Sequence, residues 1–143
     1  MQLHWLNDDE RIEAFGFYKK FMPHARLTKK EKLGVFFAEN SASKPIIAAV
    51  RLRPIGSYQL LTGILVHPGN RGQGVGHQLM QALKPHLESA PSFLFSLPHL
   101  RNFYQQHQFE GDRQAPAEIR DLFSRYTREG KSLYLMCHSS NEP

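Results

Sequence analysis

Residues 62–76 read Thr-Gly-Ile-Leu-Val-His-Pro-Gly-Asn-Arg-Gly-Gln-Gly-Val-Gly, and no other stretch restricts the chain as much. An apolar strand pattern runs into a Pro-Gly turn. Arg71 and three alternating glycines follow, and Val75, Leu79, Met80, Leu83 and Leu87 then mark a helix. Glycine reaches φ > 0 without steric cost and lets the backbone come close to a ligand. The N–H groups at a helix start lack intrahelical acceptors and favour an anion. The segment is therefore read as a strand–loop–helix junction that holds a phosphate on main-chain amides. The alternative is a Gly-rich surface turn that binds nothing.

Two commoner phosphate loops do not fit. Walker A requires Gly-x-x-x-x-Gly-Lys-Ser/Thr, whereas His77 and Gln78 follow Gly76. The dinucleotide fingerprint requires Gly-x-Gly-x-x-Gly, whereas Gly72, Gly74 and Gly76 are spaced two and two. Arg71-x-x-Gly74-x-Gly76 instead resembles the Arg/Gln-x-x-Gly-x-Gly/Ala signature of the GNAT superfamily of N-acyltransferases. Leu65-Val66-His67-Pro68 resembles the same family's approach to its loop.

The chain has 143 residues, the size of one domain, expected to span 1–143. It is 41% hydrophobic and 22% charged, as folded globular proteins are. No apolar run approaches the roughly 20 residues that cross a bilayer, so no membrane association is expected. Met1 to Trp5 carry no basic region ahead of an apolar stretch, so no signal peptide is expected. The single Cys137 excludes an internal disulfide and fits a reducing cytoplasm. It lies in an apolar strand pattern and reads as a structural thiol. No Cys/His spacing suits a metal, and no Gly-x-Ser-x-Gly elbow occurs.

The net charge is +5, with bases clustered at Lys19, Lys20, Arg26, Lys29, Lys30 and Lys32 around one acid, Glu31. This cluster reads as a solvated helix face and loop, or as a surface that attracts a polyanionic cofactor. Phe17, Tyr18 and Phe21 lie nearby at helical spacing, which assigns them to a core rather than to base stacking. Nucleic acid is not an expected partner.

The pattern predicts an α/β (α+β) chain in the order β-α-β-β-β-α-β-α-α-β. Residues 2–6 form a first strand. Asn7 and Glu10 resemble a capping box, and Ile12, Phe15, Tyr18 and Phe21 give the following helix an apolar face. Residues 34–38, 46–53 and 58–66 form an antiparallel meander, with Pro54 in a turn. A helix from Val75, with Pro85 near its end, leads to a strand at 92–97, and this crossover implies a parallel pair. Leu100, Phe103, Tyr104 and His107 share a helix face. Between Glu110 and Gly130, where the family usually has a short strand, a helix is expected, with Pro116 in its first turn and Gly130 at its end. The last strand is 132–137, with Leu133, Leu135 and Cys137 on one side.

The resemblance implies a mixed GNAT-like sheet, an antiparallel meander followed by a splayed parallel strand pair, with helices on both faces. It implies acetyl-CoA as cosubstrate and no metal. The pantetheine arm would pair with the backbone of Leu65 and Val66, and the pyrophosphate would sit on Arg71, Gly72, Gln73, Gly74, Val75 and Gly76. Phe103-Tyr104-x-x-x-Gln108-Phe109 resembles the family's Tyr-x-x-x-Gly-Phe element, which makes Tyr104 the acid that assists the departing sulfur. Gln108 stands where the family has glycine. Residues 58–66 lack the glutamate that many members use as a base, which leaves His99, or His67 in the turn, as a candidate. Arg51 and Arg53 are candidate substrate-binding residues. The acceptor would be a small-molecule or peptide amine, and a homodimer fits the family. A silent acyl-CoA-binding regulatory module is the second reading, suggested by the missing strand carboxylate.

Overall fold

The structure, a computed structural model, describes residues 1–39, 41–111 and 114–141. Strand β1 (His4–Trp5) leads into the capping box predicted at Asn7. The Asn7 side chain accepts from the Glu10 amide at 3.1 Å, and the Glu10 carboxylate accepts from the Asn7 amide at 3.0 Å. A 3-10 turn at Asp8–Glu10 then opens helix α1 (Arg11–Phe21). The acids at its start and Lys19 and Lys20 at its end both complement the helix dipole.

The predicted apolar face of α1 is corrected at Ile12, which is 77% exposed; Tyr18 is buried, and Phe15 and Phe21 pack partly buried against the same core. The helix buries Arg11, Ala14, Phe17 and Tyr18. Each three-residue step falls about 60° short of a full turn, so an every-third stripe winds around the cylinder. Residues 11, 14 and 18 keep the i, i+3, i+7 spacing of a single face.

The meander is present as β2 (Lys32–Phe37), β3 (Ile46–Ile55) and β4 (Tyr58–Val66). Strand β3 continues through Pro54, two residues past its expected end. Pro54 is exposed near the strand terminus, where a missing N–H is tolerated. Helix α2 (Val75–Glu88) runs on through Pro85. Strand β5 (Ser92–Ser96) pairs in parallel with β4 at Gln59↔Ser92 and Leu60↔Phe93, and β4 extends six residues beyond this ladder.

After helix α3 (Arg101–Gln105) the expected order needs another correction. A three-residue strand, β6 (Phe109–Gly111), precedes helix α4 (Ala117–Thr127). The short strand and the helix are both present. Three residues are too few for alternation to declare itself, and pairing with β7 (Tyr134–His138) defines β6 instead, through Phe109↔His138. The faces of β7 also differ from expectation. Met136 and His138 are fully buried, while Leu135 and Cys137 are partly buried against the α4 side. Strand order is β1-β2-β3-β4-β5-β7-β6. The mixed character, antiparallel pairs with a parallel β4–β5 pair, is as the sequence predicted.

The chain forms two compact units. One comprises Met1–Arg53 with Leu61–Leu83, and the other Pro54–Leu60 with Lys84–Pro143. The first has a core around Ala14, Tyr18, Leu33, Val35, Ala49 and Leu65. The second has a core of Leu60, Phe93, Ala115, Ile119 and Leu122.

Candidate functional site

In the first unit, Gly63 adopts φ +63° in the middle of β4. The Tyr18 hydroxyl donates to its carbonyl at 2.6 Å. A Cβ at Gly63 would lie 2.8 Å from Arg51 Cδ and 3.3 Å from the Tyr18 ring, so conformation and space both call for glycine here. Burial pushes the Tyr18 phenol upward, with Arg51 opposing and Glu31 adding. The hydroxyl therefore stays protonated and available as a donor.

Arg51, expected on the acceptor side, lies inside this brace. Its Nη2 donates to Glu31 Oε1 at 2.8 Å and to the Arg26 carbonyl at 2.9 Å, and its Nε donates to Glu31 Oε2 at 3.2 Å. Both charged partners are buried, at 8% exposure for Arg51 and 2% for Glu31. Arg53, two residues on, is half-buried and lies outside this network. Sequence reasoning saw Glu31 only as a lone acid among bases and Tyr18 only as a core residue. The signal for Glu31 was its isolation: an acid in a lysine run either softens the local charge or is spent elsewhere.

The end of β4 passes into the loop at His67. The His67 amide donates to the Ile47 carbonyl at 2.7 Å, and its Nδ1 accepts from the Gly69 amide at 2.9 Å. A neutral ring with Nδ1 so used carries its proton on Nε2, so neither nitrogen is an open acceptor. His67 thus fixes the turn at Pro68–Asn70, with its ring edge-on to Phe21 at 4.8 Å. Arg71 Nε donates to the Val66 carbonyl at 3.2 Å and ties the loop back to the strand. Leu65 is buried in the core, and Val66 is half-buried.

Gly72 and Gly74 adopt φ +77° and +76°, and a Cβ on either would meet nothing within 4 Å. These glycines serve conformation, and the space above them is open. Gln73 between them is exposed. Helix α2 begins at Val75 and Gly76, and its first bond runs from the Gln78 amide to the Gly74 carbonyl at 3.0 Å. A helix leaves the amides just before that bond without intrahelical acceptors. Open space over two left-handed glycines, a flanking Arg71 and a helix start of this kind together fit a pyrophosphate.

In the second unit, His99 is exposed in the 3-10 turn Pro98–Leu100 that leads into α3. Tyr104 is half-buried on α3, edge-on to Phe103 and Phe109 at centroid distances of 5.2 and 6.2 Å. Burial pushes its phenol up to about 12. Gln108 adopts φ +70° and accepts from the Ser139 amide at 2.8 Å through its carbonyl. His138, which the sequence reading passed over, is 1% exposed, and its Nδ1 lies 2.7 Å from Ser140 Oγ. Burial lowers its pKa, with Glu88 opposing and Lys84 adding. Among the described residues no cluster of His, Cys, Asp or Glu is arranged to hold a metal, and no helix is long and apolar enough to cross a membrane.

The family model described as "Acetyltransferase (GNAT) domain" matches residues 31–111, more than half of the chain. Solved structures share the fold at low identity. An acyl-CoA N-acyltransferase from Pseudomonas aeruginosa superposes with a TM-score of 0.67 at 16% identity, covering 96% of this chain and 100% of that one. A GNAT family acetyltransferase from Elizabethkingia anophelis with acetyl-CoA bound gives 0.69 at 13% identity, covering 96% of each. The ribosomal-protein-S18-alanine N-acetyltransferase of Escherichia coli gives 0.68 at 13% identity, covering 99% of this chain and 95% of that one. No curated protein matches the sequence.

Proposed function

The chain belongs to the GNAT acetyltransferases, and from that premise we propose that it moves the acetyl group of acetyl-CoA directly to an amine acceptor. The observation that carries this reading is the loop Arg71–Gly76, with left-handed glycines at 72 and 74 under open space at the head of α2. Its amides and the Arg71 guanidinium would hold the pyrophosphate. Acetyl-CoA bound to a neighbour of the same fold supports the choice of cosubstrate.

In the transfer, the amine nitrogen bonds to the thioester carbon as the carbon–sulfur bond breaks. The amine gives up one proton, and the departing thiolate gains one. The backbone at Leu65 and Val66 pairs with the pantetheine arm and steadies the carbonyl oxygen as it gains charge. Tyr104 keeps its proton at neutral pH and donates a hydrogen bond to the forming thiolate. A phenol near 12 lies about 3.5 units above an ordinary thiol, so hydrogen bonding precedes any complete proton transfer from it. His99, exposed in the turn before α3, takes the amine proton directly or through water. Arg53 is the substrate-side cation, and Arg51 serves the same strand from within its brace. The acceptor is an amine on a small molecule or on a peptide, the latter being the class named for the ribosomal-protein neighbour.

Titration calorimetry with acetyl-CoA tests the reading beside a Gly74→Glu variant, which puts bulk and negative charge where the phosphates belong. Binding by wild type, lost in a folded variant, is the expected outcome. No binding by folded wild type overturns the proposal. One observation favours a second reading, a silent acyl-CoA-binding module: β4 carries no carboxylate. That reading predicts tight acetyl-CoA binding and no acetylated product from any amine in a broad screen.

A further inference from the structure

The net positive charge of this protein is confined to one part of it. The first unit holds 11 of the 18 lysines and arginines and 6 of the 13 acids, and the second holds 7 of each. The whole net charge of +5 therefore lies in the first unit. It is most concentrated from Lys19 to Lys32, where Lys19, Lys20, Arg26, Lys29, Lys30 and Lys32 are all exposed. The helix dipole accounts for Lys19 and Lys20. It does not account for the other four, which lie beyond the end of α1.

One acid interrupts this run, and it does not soften the charge. Glu31 is 2% exposed and its carboxylate is bonded to Arg51 and to the Thr28 amide. Between Ala14 and Ala38 the surface thus carries cations and no carboxylate. The segment is also held in place from within. Arg11 donates to the carbonyls of Thr28 and Glu31, both at 2.7 Å, and Arg51 donates to the carbonyl of Arg26. Two buried guanidiniums thus fix the backbone that displays the exposed ones. Among the described residues none of the six exposed cations has a carboxylate within ion-pair distance.

We propose that this fixed cationic surface binds the acceptor as an acidic peptide or protein, with the carboxylates next to the acceptor amine resting on Arg26, Lys29, Lys30 and Lys32. Five of the six exposed cations are lysines, which suit solvated carboxylates as point charges. Bidentate phosphate recognition calls for arginine. Single-stranded nucleic acid needs exposed rings beside the charge. Here Phe17 and Tyr18 are buried, and Phe21 is half-buried with its ring against His67. The identification of the partner as the acceptor rests on the acetyltransferase reading. The binding itself does not.

The test uses a peptide with a free amino-terminal alanine followed by glutamates, labelled with fluorescein at its carboxyl end. Fluorescence anisotropy compares it with the same peptide carrying lysines and with an oligouridine strand. The wild type is measured beside Lys29→Glu/Lys30→Glu, whose changes lie at exposed positions. The expected result is binding of the acidic peptide that weakens with salt, falls about tenfold or more in the variant, and leaves acetyl-CoA affinity by calorimetry within about twofold. Tighter binding of the oligouridine overturns the proposal in favour of nucleic acid. An equal loss of acetyl-CoA affinity overturns it in favour of the cosubstrate, and no binding of the acidic peptide overturns it outright. If the acidic peptide binds and acetyl-CoA does not bind wild type, the surface stands and the acetyltransferase reading falls.

Discussion

The first unit fixes its backbone with buried charge. Arg11 and Arg51 donate there to three backbone carbonyls, those of Glu31, Thr28 and Arg26, and to the Glu31 carboxylate. The second unit fixes its backbone with neutral groups. Asn141 exchanges two hydrogen bonds with the Ser92 backbone, both at 2.9 Å, and Gln59 bridges the His86 carbonyl and Ser92 Oγ. Phe95 packs edge-on to Phe123 and Tyr126 around the same strand. Neutral contacts fail singly when cut. A buried ion pair fails as a unit, because the surviving partner is left charged in a poor solvent. The two halves of the chain should therefore respond to mutation on different scales.

The largest effect is expected at the ion pair. Arg51→Met leaves Glu31 buried without its cation and should cost about 3–5 kcal/mol in urea unfolding. Replacing both residues, by Arg51→Met with Glu31→Leu, should return much of that loss. A double variant no better than the single one would show that the two charges are not coupled as drawn. Tyr18→Phe keeps the ring and removes one hydrogen bond from a buried carbonyl, at a cost of about 2 kcal/mol. If Gly63 sets the backbone of β4 for the cosubstrate, this variant should also raise KM for acetyl-CoA more than it lowers kcat.

The second unit offers smaller changes, one of them favourable. Gln108 occupies a left-handed conformation that costs a side-chain-bearing residue about 1–2 kcal/mol. Glycine relieves this strain and gives back part of the gain as added freedom in the unfolded chain. Gln108→Gly should therefore raise stability by about 0.5 kcal/mol, read as a higher melting temperature. The smallest effect is in pH. His138 is held below its ordinary 6.5 by burial, so the unfolded chain takes up a proton before the native one does. Stability is full above about 6.5 and declines as pH falls through the native value. His138→Gln should flatten that decline, and an unchanged acid profile would assign it to other groups.

These same residues show where the sequence was readable. The capping box at Asn7 and the left-handed glycines at 72 and 74 are local, since each depends on neighbours within a few positions. The family resemblance at Arg71–Gly76 was legible for the same reason. Gln108 was legible as a departure from the family's glycine, and the structure adds that it holds a left-handed conformation of the kind that favours glycine. The role of Arg51 was hidden, because its partner Glu31 is 20 residues away and strand spacing says nothing about which acid will be near. Strand β6 was hidden because three residues carry no period. Ile12 was misplaced on the apolar face of α1 because a three-residue repeat resembles a helical stripe over one turn and departs from it over three.

Gly63 also restricts how this sequence can change over time. A methyl group there would meet the Arg51 side chain, and the backbone at that point already disfavours any residue but glycine. A descendant that loses Gly63 must first shorten the residue at position 51, and that step leaves Glu31 without its cation. Three positions spread over more than 30 residues are thereby inherited as a block. Among homologous chains, positions 31, 51 and 63 should vary together or not at all.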